Sequence, residues 1–297
     1  MTQSLEGALV AEHAHSALED TTLYDAAAQD SVDSAGTLVF RLGYDGGAYS
    51  GFAEQTQPGI QTVAGELRRA IETLLRREVE ITCAGRTDAG VHAVSQYISV
   101  PANADELAIP RQRWLRAMDA LLPQDIAVSE VYHAAPGFSA RFDAQDRTYV
   151  YRMADRPERP VLTRNHVWWQ RLPLDEAAML EGARHLLGEH DFKSFCKVAS
   201  AIDKPTCRNV MWVDMRRTTE LGEDVLEFWI QGNAFLHSMV RTIVGTLVEV
   251  GRHRREPAWV AEALTACDRR AAGPTAPACG LTFAAVSYPE GALTPAP

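Results

Sequence analysis

The chain has 297 residues, 46% of them hydrophobic, which suits one large domain or two ordinary ones and a core that needs no covalent staples. Its five cysteines (Cys83, Cys196, Cys207, Cys267, Cys279) are odd in number and scattered without a Cys-x-x-Cys pair, arguing against a disulfide framework and a zinc site. The formal charge of −10 speaks against a polyanionic partner only at first sight, because residues 1–36 carry seven acids and no Lys or Arg, leaving −3 over residues 37–297.

Residues 1–36, rich in Ala, Ser, Thr and Asp without a sustained period, are expected to be a disordered acidic extension. Neither a signal peptide nor a run of about 18 apolar residues is present, so a soluble, cytoplasmic protein with no membrane partner is expected. Leu38, Phe40 and Leu42 alternate as a strand that ends at the turn Tyr44-Asp45-Gly46-Gly47, and Pro58-Gly59 punctuates the following loop. Val63, Leu67, Ala70/Ile71 and Leu74 recur at helical spacing, with arginines on the outer face. A strand over 79–84, a loop and a strand over 95–100 follow. Pro110 opens a second helix through Trp114, Leu115, Met118 and Leu121/Leu122, and Ile126, Val128 and Val131 suggest a fourth strand.

The second half repeats the order. Arg147–Met153 reads as a strand, Leu174–Leu187 as a helix closed by Gly188, and Val210–Met215 and Val225–Ile230 as strands around a Leu221-Gly222 turn. Ala234–Val250 reads as a long helix extended by 257–266, and Leu281–Tyr288 as a last strand. Strand-helix-strand-strand-helix-strand twice over is the split β-α-β, ferredoxin-like or RRM-like signature, so an α+β fold of two such halves with a cleft between them is expected. The division falls at 37–145 and 146–297.

Chemistry concentrates in Gly85-Arg86-Thr87-Asp88-Ala89-Gly90-Val91-His92-Ala93, the loop between two strands. Glycines permit unusual backbone angles and close approach by a ligand, and the Arg sets a cation beside a carboxylate that must be ionised to act as nucleophile or base. The plain alternative is a tight turn in which Asp88 bonds its own backbone. No His-Glu-x-x-His, Gly-x-Ser-x-Gly or Gly-x-x-x-x-Gly-Lys run competes with it, and His92 reads as a turn residue rather than a base. In a strand Tyr149 and Tyr151 share a face, either as a stacking platform for a base or as core tyrosines. Arg241 falls mid-helix among apolar residues, where a cation needs a partner, and Asp88 is nominated. Arginine clusters (Arg68/Arg69, Arg76/Arg77, Arg111/Arg113/Arg116, Arg141/Arg147/Arg152, Arg252/Arg254/Arg255) permit RNA without establishing it.

Gly85 to His92, then Ala140-Arg141-Phe142, Arg147-Thr148-Tyr149, Asn233-Ala234-Phe235-Leu236-His237, Met239-Val240-Arg241 and Gly280-Leu281, opened by Tyr44-Asp45-Gly46-Gly47 and Ser50-Gly51-Phe52, together resemble the TruA family of tRNA pseudouridine synthases from about residue 37 to 289. The resemblance implies two RRM-like halves around a continuous, mainly antiparallel sheet, a homodimer, no cofactor, and isomerisation of uridine to pseudouridine on the 3′ side of the tRNA anticodon stem-loop. It makes Asp88 the nucleophile, Arg86 the residue that displaces the target base, Tyr149 the pocket ring against uracil and Arg241 the partner of the aspartate. Leu281 is expected to wall the pocket. The chain departs from the family at Phe52-Ala53-Glu54, where a Trp and a Gln are frequent, and at Val150, where an Arg is. Two other readings remain. A non-catalytic RNA-binding protein lacks the Lys/Arg-Gly-Phe/Tyr-Gly/Ala-Phe run of RRM strands, and a carboxylate-dependent hydrolase needs a second carboxylate nearby.

Overall fold

In chain order the elements are β1 (Gly36–Tyr44), α1 (Val63–Leu75), β2 (Thr82–Cys83), β3 (His92–Ala102), α2 (Ala104–Leu107), α3 (Arg111–Leu121) and β4 (Ile126–Ala134). They continue with β5 (Asp146–Asp155), β6 (Trp168–Gln170), α4 (Glu176–Arg184), β7 (Gly188–Asp191), β8 (Cys207–Glu220), β9 (Glu223–Gly232), α5 (Met239–Gly251), α6 (Trp259–Ala266), β10 (Leu281–Ser287) and β11 (Thr294–Pro295). The computed structural model describes residues 34–297 apart from 56, 58, 201 and 203. The acidic extension up to residue 33, and Pro58 of the expected turn, lie outside the described residues.

Among the described residues all the strands join one sheet, in the order β11-β4-β1-β3-β10-β5-β9-β8-β7, with β2 on β3 and β6 on β5. Each half carries the order expected of a split β-α-β unit: β4-β1-β3-β2 in the first, β10-β5-β9-β8 in the second. The halves are stitched where β10 pairs with the start of β3 in parallel, Thr282 opposite His92 and Phe283 opposite Ala93. Except for this short contact and that of β6 with β5, the pairing is antiparallel. The fold is therefore α+β, as the element order predicts, with the continuous, mainly antiparallel sheet that the resemblance implies. Among the described residues no helix is long and apolar enough to cross a membrane.

One core runs through both halves. Val63, Leu67, Ala70 and Ile71 of α1 and Trp114 and Met118 of α3 are buried against Leu38, Phe40 and Leu42 of β1, and Phe40 meets Trp114 edge-on at 5.1 Å. Met179 and Ala183 of α4 and Ile243 and Leu247 of α5 fill the other end. Each fully buried Val, Leu, Ile, Phe or Met side chain among these stabilises the fold by about 1.5–3 kcal/mol.

Several element boundaries differ from expectation for visible reasons. The expected strand over 79–84 shrinks to β2 because the Val79 N–H donates to the Glu72 carboxylate at 3.0 Å, not to a neighbouring strand. The expected helix from Ala234 begins only at Met239. Residues 233–238 make other bonds: the Asn233 side chain accepts from the Asn209 and Ala234 N–H groups, and the His237 carbonyl accepts from the Lys197 N–H. Gly188 does not close α4, which ends at Arg184, but opens β7. His253, at φ 55°, separates α6 from α5.

Candidate active site

The loop from Ala84 to Val91 leaves β2 and enters β3 beside the seam between the halves. It is held at several points. The buried Gln96 amide donates to the Gly85 carbonyl at 2.7 Å, Tyr44 shares a 2.8 Å bond with the Thr87 hydroxyl, and the Phe52 N–H donates to the Thr87 carbonyl at 3.1 Å. The Val91 N–H closes a turn on the Asp88 carbonyl at 3.1 Å, and Gly90 within that turn has φ 77°, a conformation that favours glycine. The turn predicted for this segment is thus present, but its closure uses the Asp88 backbone and leaves the carboxylate for other partners.

Those partners come from the other half. Arg241 Nη1 donates to Asp88 Oδ2 at 2.7 Å and the Ser238 hydroxyl donates to the same oxygen at 2.8 Å. His237 Nε2 stands 3.3 Å from Oδ1. Arg241 is itself oriented by a bond from Nε to the Ala276 carbonyl at 2.9 Å. Both partners of the ion pair are about one-fifth exposed, so the carboxylate is neither sealed away nor freely solvated. A charge-assisted pair in such a setting fixes direction as well as charge.

Asp88 lies on the wall of a cleft of about 640 Å³ that also exposes Arg86, Tyr149, Leu281 and Arg208. Tyr149, on β5, is 7% exposed and set between Phe235, edge-on at 5.1 Å, and Phe283 at 4.8 Å. Burial pushes its phenol far above the usual value, so the ring is neutral and offers the cleft an aromatic surface rather than a proton acceptor. Tyr151, on the same face of β5, is completely buried and donates to the Pro277 carbonyl at 2.8 Å. The tyrosine pair therefore divides into one cleft residue and one core residue. Leu281, 6% exposed, lines the cleft from the first position of β10. Arg86 is exposed at the loop's rim.

The cleft is cationic. Arg86, Arg141, Arg147 and Arg208 all line it, and among the described residues none has a carboxylate within 4.0 Å. The two cleft carboxylates, Asp88 and Glu54, are each already paired, with Arg241 and Arg68. This surplus was invisible in the overall charge of the chain. The second cleft carboxylate, Glu54, is held by Arg68 at 2.6 Å while Asp88 is held by Arg241, so the two are engaged by separate cations rather than set as an acid–base pair for a hydrolase.

Sequence spacing missed Ser238 and His237 as contacts of Asp88, because both were read as turns of a helix. It also missed a cluster below the loop, where Asp45, His92 and His166 gather with ligand atoms within 4.8 Å of one another. His92 Nδ1 accepts the Gly46 N–H at 3.1 Å and lies 3.0 Å from Asp45 Oδ1, so the ring serves the turn it was expected to serve. The cluster lies outside the cleft lining.

Comparison with known proteins agrees with this geometry. The family model described as tRNA pseudouridine synthase matches residues 43–143 and 183–289. The tRNA pseudouridine synthase A of Geobacillus sp. (strain WCH70) is 40% identical over 83% of this chain and 96% of its own length. That of Methylococcus capsulatus is 41% identical over 85% and 90%, and that of Brevibacillus brevis 40% identical over 83% and 97%. A solved Cbf5-Nop10-Gar1 complex covers 73% of this chain and 46% of its own at 16% identity with a TM-score of 0.34, too distant to support any statement here. Matched along most of its length by relatives at this level of identity, the chain belongs to the tRNA pseudouridine synthase A family of isomerases.

Proposed function

We propose that the protein converts uridine to pseudouridine in the anticodon stem-loop of tRNA, with Asp88 as the nucleophile. The observation that carries the reading is the Asp88–Arg241 pair at 2.7 Å, on the wall of a cleft that also offers the Tyr149 ring and unpaired arginines. The reaction breaks the bond from ribose C1′ to uracil N1, turns the base, forms a bond from C1′ to C5, and exchanges the C5 proton for one on N1. Atoms and electrons balance with no redox partner and no net water.

The ionised carboxylate of Asp88 supplies the electron pair that holds the ribose or the base while the bond is exchanged. Arg241 and Ser238 keep that carboxylate aimed. The uridine must first leave its stack, which costs a few kcal/mol, and Arg86, exposed at the loop's rim, fills the gap it leaves in this reading. The neutral Tyr149 ring then receives the uracil, a contact worth about 1–3 kcal/mol. Arg141, Arg147 and Arg208 add positive potential for the phosphates. Division at about residue 145 into two RRM-like units, a homodimer and a cytoplasmic location complete the reading by family likeness.

The test is tritium release from tRNA carrying [5-³H]uridine, with binding measured in parallel. The unmodified protein should release tritium, and Asp88→Ala should bind the tRNA and release none. Binding without release by both proteins would instead identify an RNA-binding protein. Release as free uracil would identify a hydrolase.

A further inference from the structure

Ser238 occupies the cap position of α5 and does not behave as a capping serine. Its side chain makes no hydrogen bond to the helix N–H groups, and its backbone is left-handed at φ 60° and ψ 13° rather than extended. Serine at a helix cap normally stabilises the helix by accepting from the first turn, and left-handed backbone is comfortable for glycine and asparagine, not for serine. Both preferences are overridden here.

The surrounding bonds hold it there. The His237 carbonyl accepts from the Lys197 N–H at 3.1 Å, the Met239 N–H donates to the Leu236 carbonyl at 3.0 Å, and the Thr242 N–H donates to the Ser238 carbonyl at 3.0 Å. A backbone conformation that its own residue disfavours persists only when its neighbours over-determine it, and such positions gather at functional sites. The hydroxyl freed from capping donates to Asp88 Oδ2, the oxygen that Arg241 also binds.

The two oxygens of Asp88 are consequently unequal. Oδ2 accepts two short charge-assisted bonds, from Arg241 and Ser238, whereas among the described residues Oδ1 faces only the half-exposed His237 ring at 3.3 Å. A single donor would leave the carboxylate plane free to rotate, and the second removes that freedom. We infer that Ser238 is a positioning residue that, with Arg241, fixes Oδ2 so that Oδ1 is the oxygen presented to the nucleotide. The inference rests on Asp88 being the reacting group.

The experiment compares Ser238→Ala, Ser238→Gly and Ser238→Asn with the unmodified protein and Asp88→Ala in steady-state turnover, tRNA binding and thermal melting. Ala removes the donor. Gly removes the donor and relieves the backbone, and Asn keeps a donor in a residue that tolerates this conformation. Loss of one hydrogen bond to a charged group should lower kcat by about 10- to 100-fold for Ala and Gly, with KM and tRNA binding unchanged. Asn should recover most of that loss, and Gly should melt no lower than Ala. If Gly or Ala turns over within about threefold of the unmodified protein, a change too small for a lost charged bond, the positioning role is wrong. It is also wrong if Asn, melting normally, fails as badly as Ala. Turnover by Asp88→Ala would instead overturn the reading of Asp88 and this inference with it, so the two failures are separable.

Discussion

Arg147 offers the most demanding test of how the two halves are joined. Its side chain is 7% exposed, and all five N–H donors of the guanidinium are satisfied by backbone carbonyls, not by an acid. Nε and Nη2 both reach the Ala84 carbonyl at 3.1 Å, Nη1 reaches those of Ala144 at 3.0 Å and Asn233 at 2.8 Å, and Nη2 also bonds that of Arg141. One cation thus ties the end of β2, the segment between the halves and the approach to α5. Arg147→Met keeps much of the stem's apolar volume but strands the buried Ala84 carbonyl, at about 1–3 kcal/mol, and strips a partner from the carbonyls of Ala144, Arg141 and Asn233, the last two on exposed residues. With the charge-assisted bonds lost, each worth about 1.5–3 kcal/mol, a total of about 3–5 kcal/mol is expected. At about 2–4 °C per kcal/mol for a chain of this size, the melting temperature should fall by roughly 6–20 °C. Arg147→Lys should fall nearly as far, because an ammonium has three donors and no planar fork to span four carbonyls. The measurement is a thermal melt with circular dichroism and no ligand. A melting temperature for Arg147→Met within about 3 °C of the unmodified protein, under 2 kcal/mol by the same conversion, would refute the claim that this cation holds the joint.

Arg86→Ala should bind tRNA within a few-fold of the unmodified protein and lose turnover, since an exposed residue at the loop's rim adds little to folding; normal turnover would remove its base-displacing role. A methyl group at Gly46 would lie 2.0 Å from the Val91 carbonyl oxygen, three residues after Asp88, so Gly46→Ala must push the Asp88 loop. It should cost about 1–3 kcal/mol in denaturant unfolding and most of kcat. Burial lowers the pKa of His92 and of His133 below the usual 6.5. The unfolded chain then takes up these protons first as pH falls, so their stabilising contribution is full above about pH 6.5 and declines below it. Urea midpoints should therefore fall between about pH 7.5 and 5.5, and His92→Asn should flatten that slope; an unchanged slope would mean that His92 does not titrate as its burial requires.

How legible all this was in the sequence depended on whether a residue's role was local. The Asp88 loop could be found because glycines, an arginine and an acid crowd into a few positions between strand patterns. The Asp88–Arg241 pair could be nominated because a cation amid the apolar residues of a helix has to be satisfied somewhere, and the structure sets the two 2.7 Å apart. Tyr149 was visible as half of a pair, but alternation cannot tell which of Tyr149 and Tyr151 faces open space. Both occupy one face of β5, and only packing under Pro277 and Gly280 decides. Ser238 and His237 were hidden because helical spacing carried the pattern of α5 backwards through residues whose carbonyls and N–H groups bond elsewhere. Strand β7, Gly188-Glu189-His190-Asp191, has no apolar residue to alternate and is recruited only by its pairing with β8. The Arg147 cage could not be read, since backbone carbonyls leave no mark in a sequence.

Placing Asp88 and its partners at the seam has a consequence for how this fold tolerates change. Asp88 belongs to the loop before β3, while Arg241, Ser238, Tyr149 and Leu281 belong to the half that begins at β5. The parallel contact of β3 with β10 spans only His92–Ala93 against Thr282–Phe283, too little pairing to fix the halves alone. Further contacts between the halves include the Arg147 cage on Ala84, the Asp88–Arg241 pair, the bond from the Tyr288 hydroxyl to the Ala140 carbonyl at 2.8 Å and the pairing of β11 with β4. The ion pair that aims the carboxylate is therefore one of the bonds that sets the angle between the halves. If a nucleotide engages Asp88 as proposed, it perturbs that bond, and the cage and the strand pairings across the seam then hold the halves without involving Asp88. That division of labour suits Arg147, a buried arginine bonded to backbone carbonyls and without a carboxylate within 4.0 Å among the described residues, two positions from Tyr149.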